Sequence, residues 1–185
     1  GMLYGTVRHC KVFGEKLISV DDINSKQVQG VMAVIPMEDQ AVVVADSTWA
    51  AMQGADALNL VTTGGNKDLS DDSIFRQFRS DLSKSGVTAA HVGDSSKAIV
   101  KANKVLELEY EMPMQAHATM EPLCATASVT KDECNIWAPV QNQDGVMGVA
   151  MAVTNLPPEK ININTTFLGG GFGRKFEVDF LLGPL

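Results

Sequence analysis

Two uninterrupted apolar runs of strand length, residues 31–35 (VMAVI) and 41–45 (AVVVA), limit this chain most strongly. A strand that is apolar at every position has no face to give to water, so both are expected to be covered on both faces. Pro36 and the acidic pair Glu38-Asp39 supply the turn between them. Such strands need a real core around them. With 45% hydrophobic and 20% charged residues over 185 positions, the composition can provide one, as a single domain or two small ones.

The flanking pattern mixes strands and helices. Residues 3–8 and 16–20 read as strands, the second closed by Asp21-Asp22. Asp46 or Ser47 can cap a helix running to about residue 57, because its side-chain oxygen accepts a first-turn N–H. Residues 63–69 (TGGNKDL) have loop chemistry. Ser70 followed by Asp71 and Asp72 starts another helix, favoured by the dipole, with Ile74, Phe75, Phe78 and Leu82 on one face and Gly86 as its stop. A short helix is expected over 94–103, with Ala98, Ile99 and Ala102 inward. Residues 104–112 (KVLELEYEM) alternate cleanly, which predicts a half-exposed strand. Further strands are expected at 125–129 and 134–140 around a Lys131-Asp132-Glu133 turn. A helix over 144–153 and a strand around Ile161 and Ile163 follow. The fold class is therefore α+β, with a boundary between halves within 64–95.

Charge removes several functions. Fifteen Lys and Arg against 22 Asp and Glu leave a formal charge of −7, which suits neither a nucleic-acid groove nor an anionic membrane surface. No apolar run approaches the ~18 residues of a spanning helix, so no membrane insertion by this segment is expected. Cys10, Cys124 and Cys134 are odd in number and far apart, and are expected to be buried thiols.

Three local patterns carry chemistry. Four glycines within residues 169–173, after a strand, let backbone approach a ligand and aim several N–H groups at an anion, with Arg174 and Lys175 adding positive charge. No GK[ST] follows, which excludes a Walker A loop, and the spacing fails the dinucleotide fingerprint. A tight turn needing glycine only for its angles is the structural alternative. His117 and Glu121, four apart, could share a helix face and a metal, but Pro113 and Pro122 leave little room for a helix and a structural role is favoured. Gln141, just past a strand end in WAPVQ, can offer a side-chain amide to a ligand or simply meet solvent. No arrangement supports nucleophilic catalysis.

Taken in order, HATMEP (117–122), WAPVQ (137–141) and LGGGFGRK (168–175) resemble the molybdenum-cofactor-binding subunit of the xanthine dehydrogenase and aldehyde oxidase superfamily. The isoquinoline 1-oxidoreductase beta-subunit type is the nearest branch. LYGTVRHCKVFG and AVVVADSTWAAMQGADAL resemble the later part of that family's α/β-hammerhead domain. The resemblance implies a partial hammerhead over 1–85, then the N-terminal segment of a molybdopterin-binding domain over 86–185. It implies oxidative hydroxylation of a small-molecule N-heterocycle or aldehyde, with water as the oxygen source. It also implies a molybdopterin-type molybdenum cofactor in a cytosine dinucleotide form, and a partner small subunit carrying 2Fe–2S clusters. Gln141 would stand near the metal's oxo ligand as the catalytic residue. Gly170, Gly171, Phe172 and Gly173 would bind the cofactor, and no residue here would ligate the metal. Phe176 stands where xanthine dehydrogenases proper carry a glutamate, so a purine substrate is not implied. The family's general base is a glutamate hundreds of residues further on. The chain is accordingly expected to be a fragment, inactive and without stoichiometric molybdenum by itself, and self-associating through exposed apolar faces. The other reading is a non-enzymatic binding or structural module that retains the fold. The compartment, cytoplasmic or periplasmic, stays open.

Overall fold

The computed structural model describes residues 1–183 and divides into two compact units. One is formed by Gly1–Lys67 with the chain from Ala116 onward, the other by Asp68–Gln115.

In the first unit, β1 (Tyr4–His9), β3 (Val31–Pro36) and β4 (Gln40–Ala45) form an antiparallel sheet in the order β1-β4-β3. The central place of β4 explains its apolar run, because Ala41, Val42, Val43 and Ala45 are all buried. The expectation of double cover fails for β3. It lies at the sheet edge, and Met32 and Ile35 are exposed. Helix α2 (Thr48–Asp56) packs on this sheet through Ala51, Gly54 and Ala55, capped by Ser47, whose hydroxyl accepts the Ala50 N–H. Two elements escaped the sequence reading: the five-residue α1 (Ile23–Gln27) and β5 (Asn59–Gly64). The latter pairs antiparallel with β2 (Glu15–Asp21), with a bulge between Leu17 and Ser19. The loop expected at 63–69 thus begins inside a strand. Its glycine belongs to a close approach, since a Cβ on Gly65 (φ +82°) would lie 2.6 Å from Glu15 Cγ.

The same unit holds a second sheet, ordered β6-β7-β8, of β6 (Thr126–Val129), β7 (Cys134–Ala138) and β8 (Ile161–Thr165). Strands β6 and β7 run antiparallel around the Lys131-Asp132-Glu133 turn, while β7 and β8 run parallel. A parallel pair needs a crossover, and α5 (Gln143–Thr154) supplies it. Its start is capped by Asn142, whose side chain accepts the Gly145 N–H at 2.9 Å, and its end by Asn155 in the left-handed region. Cys134, Ile136 and Ala138 alternate inward and meet Val146 and Ala150 of α5 together with Val140, Ile161 and Leu181. At roughly 1.5–3 kcal/mol per large aliphatic side chain, this cluster is the main stabiliser of the β7-α5-β8 crossover.

The second unit contains α3 (Asp71–Leu82) and α4 (Ser95–Lys101), capped by Ser70 and Asp94. Helix α3 has the expected apolar stripe and an acidic first turn, but none of its residues is buried; it ends at Ser83 rather than Gly86. Ala98, Ile99 and Ala102 are exposed, against their expected inward placement. Residues 104–112 form no strand. Alternation requires a neighbouring strand to become a ladder, and none pairs with this segment among the described residues. Of the cysteines, Cys134 is buried, Cys10 half-buried and Cys124 exposed, so the expectation of three buried thiols holds for one only.

Candidate functional site

The parallel pair β7–β8 sets the site. Ligands of parallel sheets bind outside the carboxyl ends of the strands, where successive connections leave the sheet. Two of the sequence patterns leave from those ends side by side. After β7, Pro139 stops the ladder, and a tight turn from the Val140 N–H to the Ala138 carbonyl brings Gln141 out before α5 begins. After β8, the Thr166 N–H still donates to the Ala138 carbonyl, and the chain then enters the glycine loop.

The loop's glycines are required for two different reasons. Gly170 and Gly173 both have φ of +96°, a left-handed conformation in which a side chain is strained. Gly169 and Gly171 are required by proximity. A Cβ on Gly169 would lie 2.6 Å from Glu121 Cβ, and one on Gly171 would run into the Gln141 amide oxygen and lie 3.0 Å from its Cδ. Phe172, at φ +51°, takes the left-handed region without being glycine and is largely exposed. A bulky residue held there stores strain that the surrounding turns must hold, through the Arg174 N–H to the Gly171 carbonyl and the Phe176 N–H to the Gly173 carbonyl.

The three patterns therefore converge. Gln141 meets Gly171, the Met120 amide nitrogen lies 4.0 Å from a Cβ position on Gly170, and His117 Nε2 lies 3.7 Å from one on Gly173. Glu121 does not share a helix face with His117. One of its carboxylate oxygens accepts the Gly169 N–H at 2.8 Å and pairs with Lys175 Nζ. Among the described residues, no group of His, Cys, Asp and Glu is arranged to hold a metal ion.

Sequence reasoning missed this pairing, because 54 residues separate Glu121 from Lys175 and nothing local links them. A lysine directly after a glycine loop reads as a free cation. Lys175 is instead fully buried, and its bond to Glu121, with the Gly169 amide adding to it, holds that carboxyl below the usual glutamate range. Arg174 is likewise engaged, in a two-pronged bond to Asp179 at 2.8 Å for each prong, which lowers the Asp179 carboxyl and raises the guanidinium. The expected positive charge beside the loop is thus already neutralised by internal partners. What the loop offers a ligand is neutral: the N–H groups of Gly170, Gly171, Phe172 and Gly173 donate to no group among the described residues, and Gly171 is a buried residue.

A glycine-rich set of free amides beside a side-chain amide, at the carboxyl ends of parallel strands, is an arrangement that can receive an anionic group. A family model described as the molybdopterin cofactor-binding domain matches residues 78–182, more than half of the chain, and the chain belongs to that family. Among curated relatives, the membrane-bound aldehyde dehydrogenase of Gluconacetobacter polyoxogenes, whose name carries pyrroloquinoline-quinone, is 26% identical over 98% of this chain and 25% of its own length. Isoquinoline 1-oxidoreductase subunit beta of Brevundimonas diminuta is 29% identical over 96% of this chain and 24% of its own. The solved aldehyde oxidoreductase of Desulfovibrio gigas shares the fold, with a TM-score of 0.68 at 16% identity, over 98% of this chain and 25% of that one. The chain thus spans about a quarter of the length of these relatives. No helix among the described residues is long and apolar enough to cross a membrane.

Proposed function

We propose that this chain supplies one wall of a molybdenum-cofactor site in a hydroxylase large subunit, with Gly170, Gly171, Phe172 and Gly173 as the cofactor-binding residues and Gln141 as the catalytic one. The observation that carries this reading is the run of four free amide donors, of which Gly171 lies against the Gln141 side chain. The donor set fits the group. A multiply anionic pterin dithiolene is held well by neutral N–H groups without obstructing side chains, and a Cβ on Gly171 would fill the place of the Gln141 amide. When bound, such a cofactor supplies oxidative hydroxylation of a carbon centre with oxygen from water. Gln141, whose side chain lies against Gly171, would donate or accept one hydrogen bond to that group. The loop amides would hold the group and exclude water from its place.

The family match beginning at residue 78 supports a division near residue 85 between a partial α/β-hammerhead and the N-terminal segment of the cofactor domain. The named activities of the relatives support an aldehyde or an N-heterocycle as substrate. A relative named as a beta subunit supports a partner, in our reading a small subunit with 2Fe–2S clusters. The cytosine dinucleotide form of the pterin, the inactivity of the 185-residue chain alone and its self-association belong to the same proposal.

The test is made in the natural full-length polypeptide, with Gln141→Ala and Gly171→Val assayed for molybdenum content and kcat. Loss of one preorganised donor at a reacting centre costs ~10²–10³ in kcat, so Gln141→Ala is expected to stay loaded but slow. Gly171→Val is expected to lose metal, because its side chain would occupy the cradle and push the glutamine aside. Parallel loss of metal and activity in the glutamine variant, with full loading of the glycine variant, would reverse the assigned roles.

A further inference from the structure

Lys175 touches all three parts of the site by different bonds. It closes the glycine loop in sequence, its backbone carbonyl accepts the Gln141 N–H at 2.9 Å, and its Nζ pairs with Glu121. Glu121 in turn accepts the N–H of Gly169, the residue that opens the glycine run. The loop is therefore pinned at both ends by one carboxylate. At its start the pin is a direct N–H bond; at its far end it is the buried lysine.

A fully buried ammonium is a costly way to stabilise a fold. Apolar side chains of similar volume commonly serve as well or better, so a buried pair is better explained by geometry it fixes than by energy it adds. Here the fixed geometry is specific. The pair sets the height of Gly169 over Glu121, where backbone approaches to a distance no Cβ would allow, and the carbonyl of Lys175 sets the start of the Gln141 side chain.

We infer that Glu121 and Lys175 are positioning residues, a clamp that holds the four loop amides and the Gln141 amide in one fixed frame. Both act through the loop backbone rather than by presenting a free side chain. This rests on reading the loop as a cofactor cradle, but the clamp itself is observable without the cofactor.

The experiment uses the natural full-length polypeptide, prepared both cofactor-free and loaded, as wild type, Glu121→Gln, Lys175→Met and the double variant Glu121→Leu/Lys175→Met. In the cofactor-free protein, amide hydrogen exchange at Gly169 and Gln141 is expected to rise at least tenfold in Lys175→Met and in the double variant. Exchange in β4 and β7 should stay as in wild type. The double variant, with no buried charge left, is expected to recover the wild-type melting temperature but not the protection of Gly169, nor the molybdenum content of the loaded protein. Recovery of all three in the double variant would show that the pair serves stability alone and overturn the inference, as would a uniform rise in exchange across both sheets. If Lys175→Met does not fold, Glu121→Gln and the double variant decide the matter by the same readings. A wild-type protein that carries no molybdenum or pterin would overturn the cofactor reading instead, leaving the exchange result to judge the clamp.

Discussion

Glu15, Glu121 and Asp179 are among the carboxylates held low by partners the fold supplies. Glu15 is buried where β2 begins. It accepts the Thr62 hydroxyl at 2.9 Å and the N–H groups of Lys11 and Val12 at 3.1 Å each, and the Thr62 bond is the main reason its carboxyl titrates below the usual range. Glu121 is lowered chiefly by Lys175, and Asp179 chiefly by Arg174. A carboxyl lowered by folding adds stability above its unfolded pKa, about 4.3 for Glu and 3.9 for Asp, and loses it as pH falls through the lower folded value. Thermal melting is therefore expected to be level from about pH 5 to 7 and to fall steeply below about pH 4, with Glu15→Gln and Asp179→Asn flattening the acid limb. Melting curves in a pH series check this. A midpoint that rises on acidification would contradict it. None of these contacts was legible in the sequence. Glu15 meets Thr62 across a strand pair that escaped detection, and Glu121 meets Lys175 over a separation of 54 residues.

At the scale of elements, glycine placement separates close packing from open surface. Gly54 sits mid-helix in α2, and a Cβ there would stand 2.7 Å from Val31 Cγ2 and 2.8 Å from Val43 Cγ1. The propensity gain of Ala over Gly, about 1 kcal/mol, is opposed by overpacking of roughly 1–3 kcal/mol, so Gly54→Ala is expected to be neutral to destabilising by up to about 2 kcal/mol. Gly148 in α5 has nothing within 4 Å of its Cβ position, and Gly148→Ala is expected to stabilise by about 0.5–1 kcal/mol. Denaturant unfolding should show Gly148→Ala more stable than wild type and Gly54→Ala no more stable than wild type, and equal stabilisation of both would deny the helix-on-sheet approach. The elements legible in the sequence were those whose partners only had to be apolar: β4, α2, β7 and α5 follow directly from pattern and cap. Those that failed depend on a neighbour. Residues 104–112 have the alternation of a strand but no ladder to join, and β5, with its Thr62-Thr63-Gly64 end, has a weak pattern that pairing with β2 rescues. The site followed the same rule. Gln141 and the glycines were legible as local chemistry, while the neutralisation of Arg174 and Lys175 was not.

Across the whole molecule, burial is uneven. The core lies entirely within the first unit, and no residue of Asp68–Gln115 is buried. Opening free energies follow buried contacts, so trypsin is expected to cut first at Lys84, Lys97, Lys101 and Lys104, before any site in β1–β5. First cuts within the strands would contradict that order. Leu106, Leu108, Tyr110 and Met112 form an exposed apolar row, and sedimentation of the isolated 185-residue chain is expected to show self-association that rises with concentration. A monomer at every concentration would contradict it.

On the proposed reading, residues 169–173 and Gln141 form one wall of a molybdopterin site whose remaining walls come from outside these 185 residues. Molybdenum and pterin per polypeptide, measured side by side in the natural full-length protein and in the 185-residue chain, test it most directly. Near-stoichiometric molybdenum and pterin are expected in the former, with no quinone, and neither in the latter. A full-length protein that carries a quinone or no molybdenum, or a 185-residue chain that retains the metal in full, would contradict it.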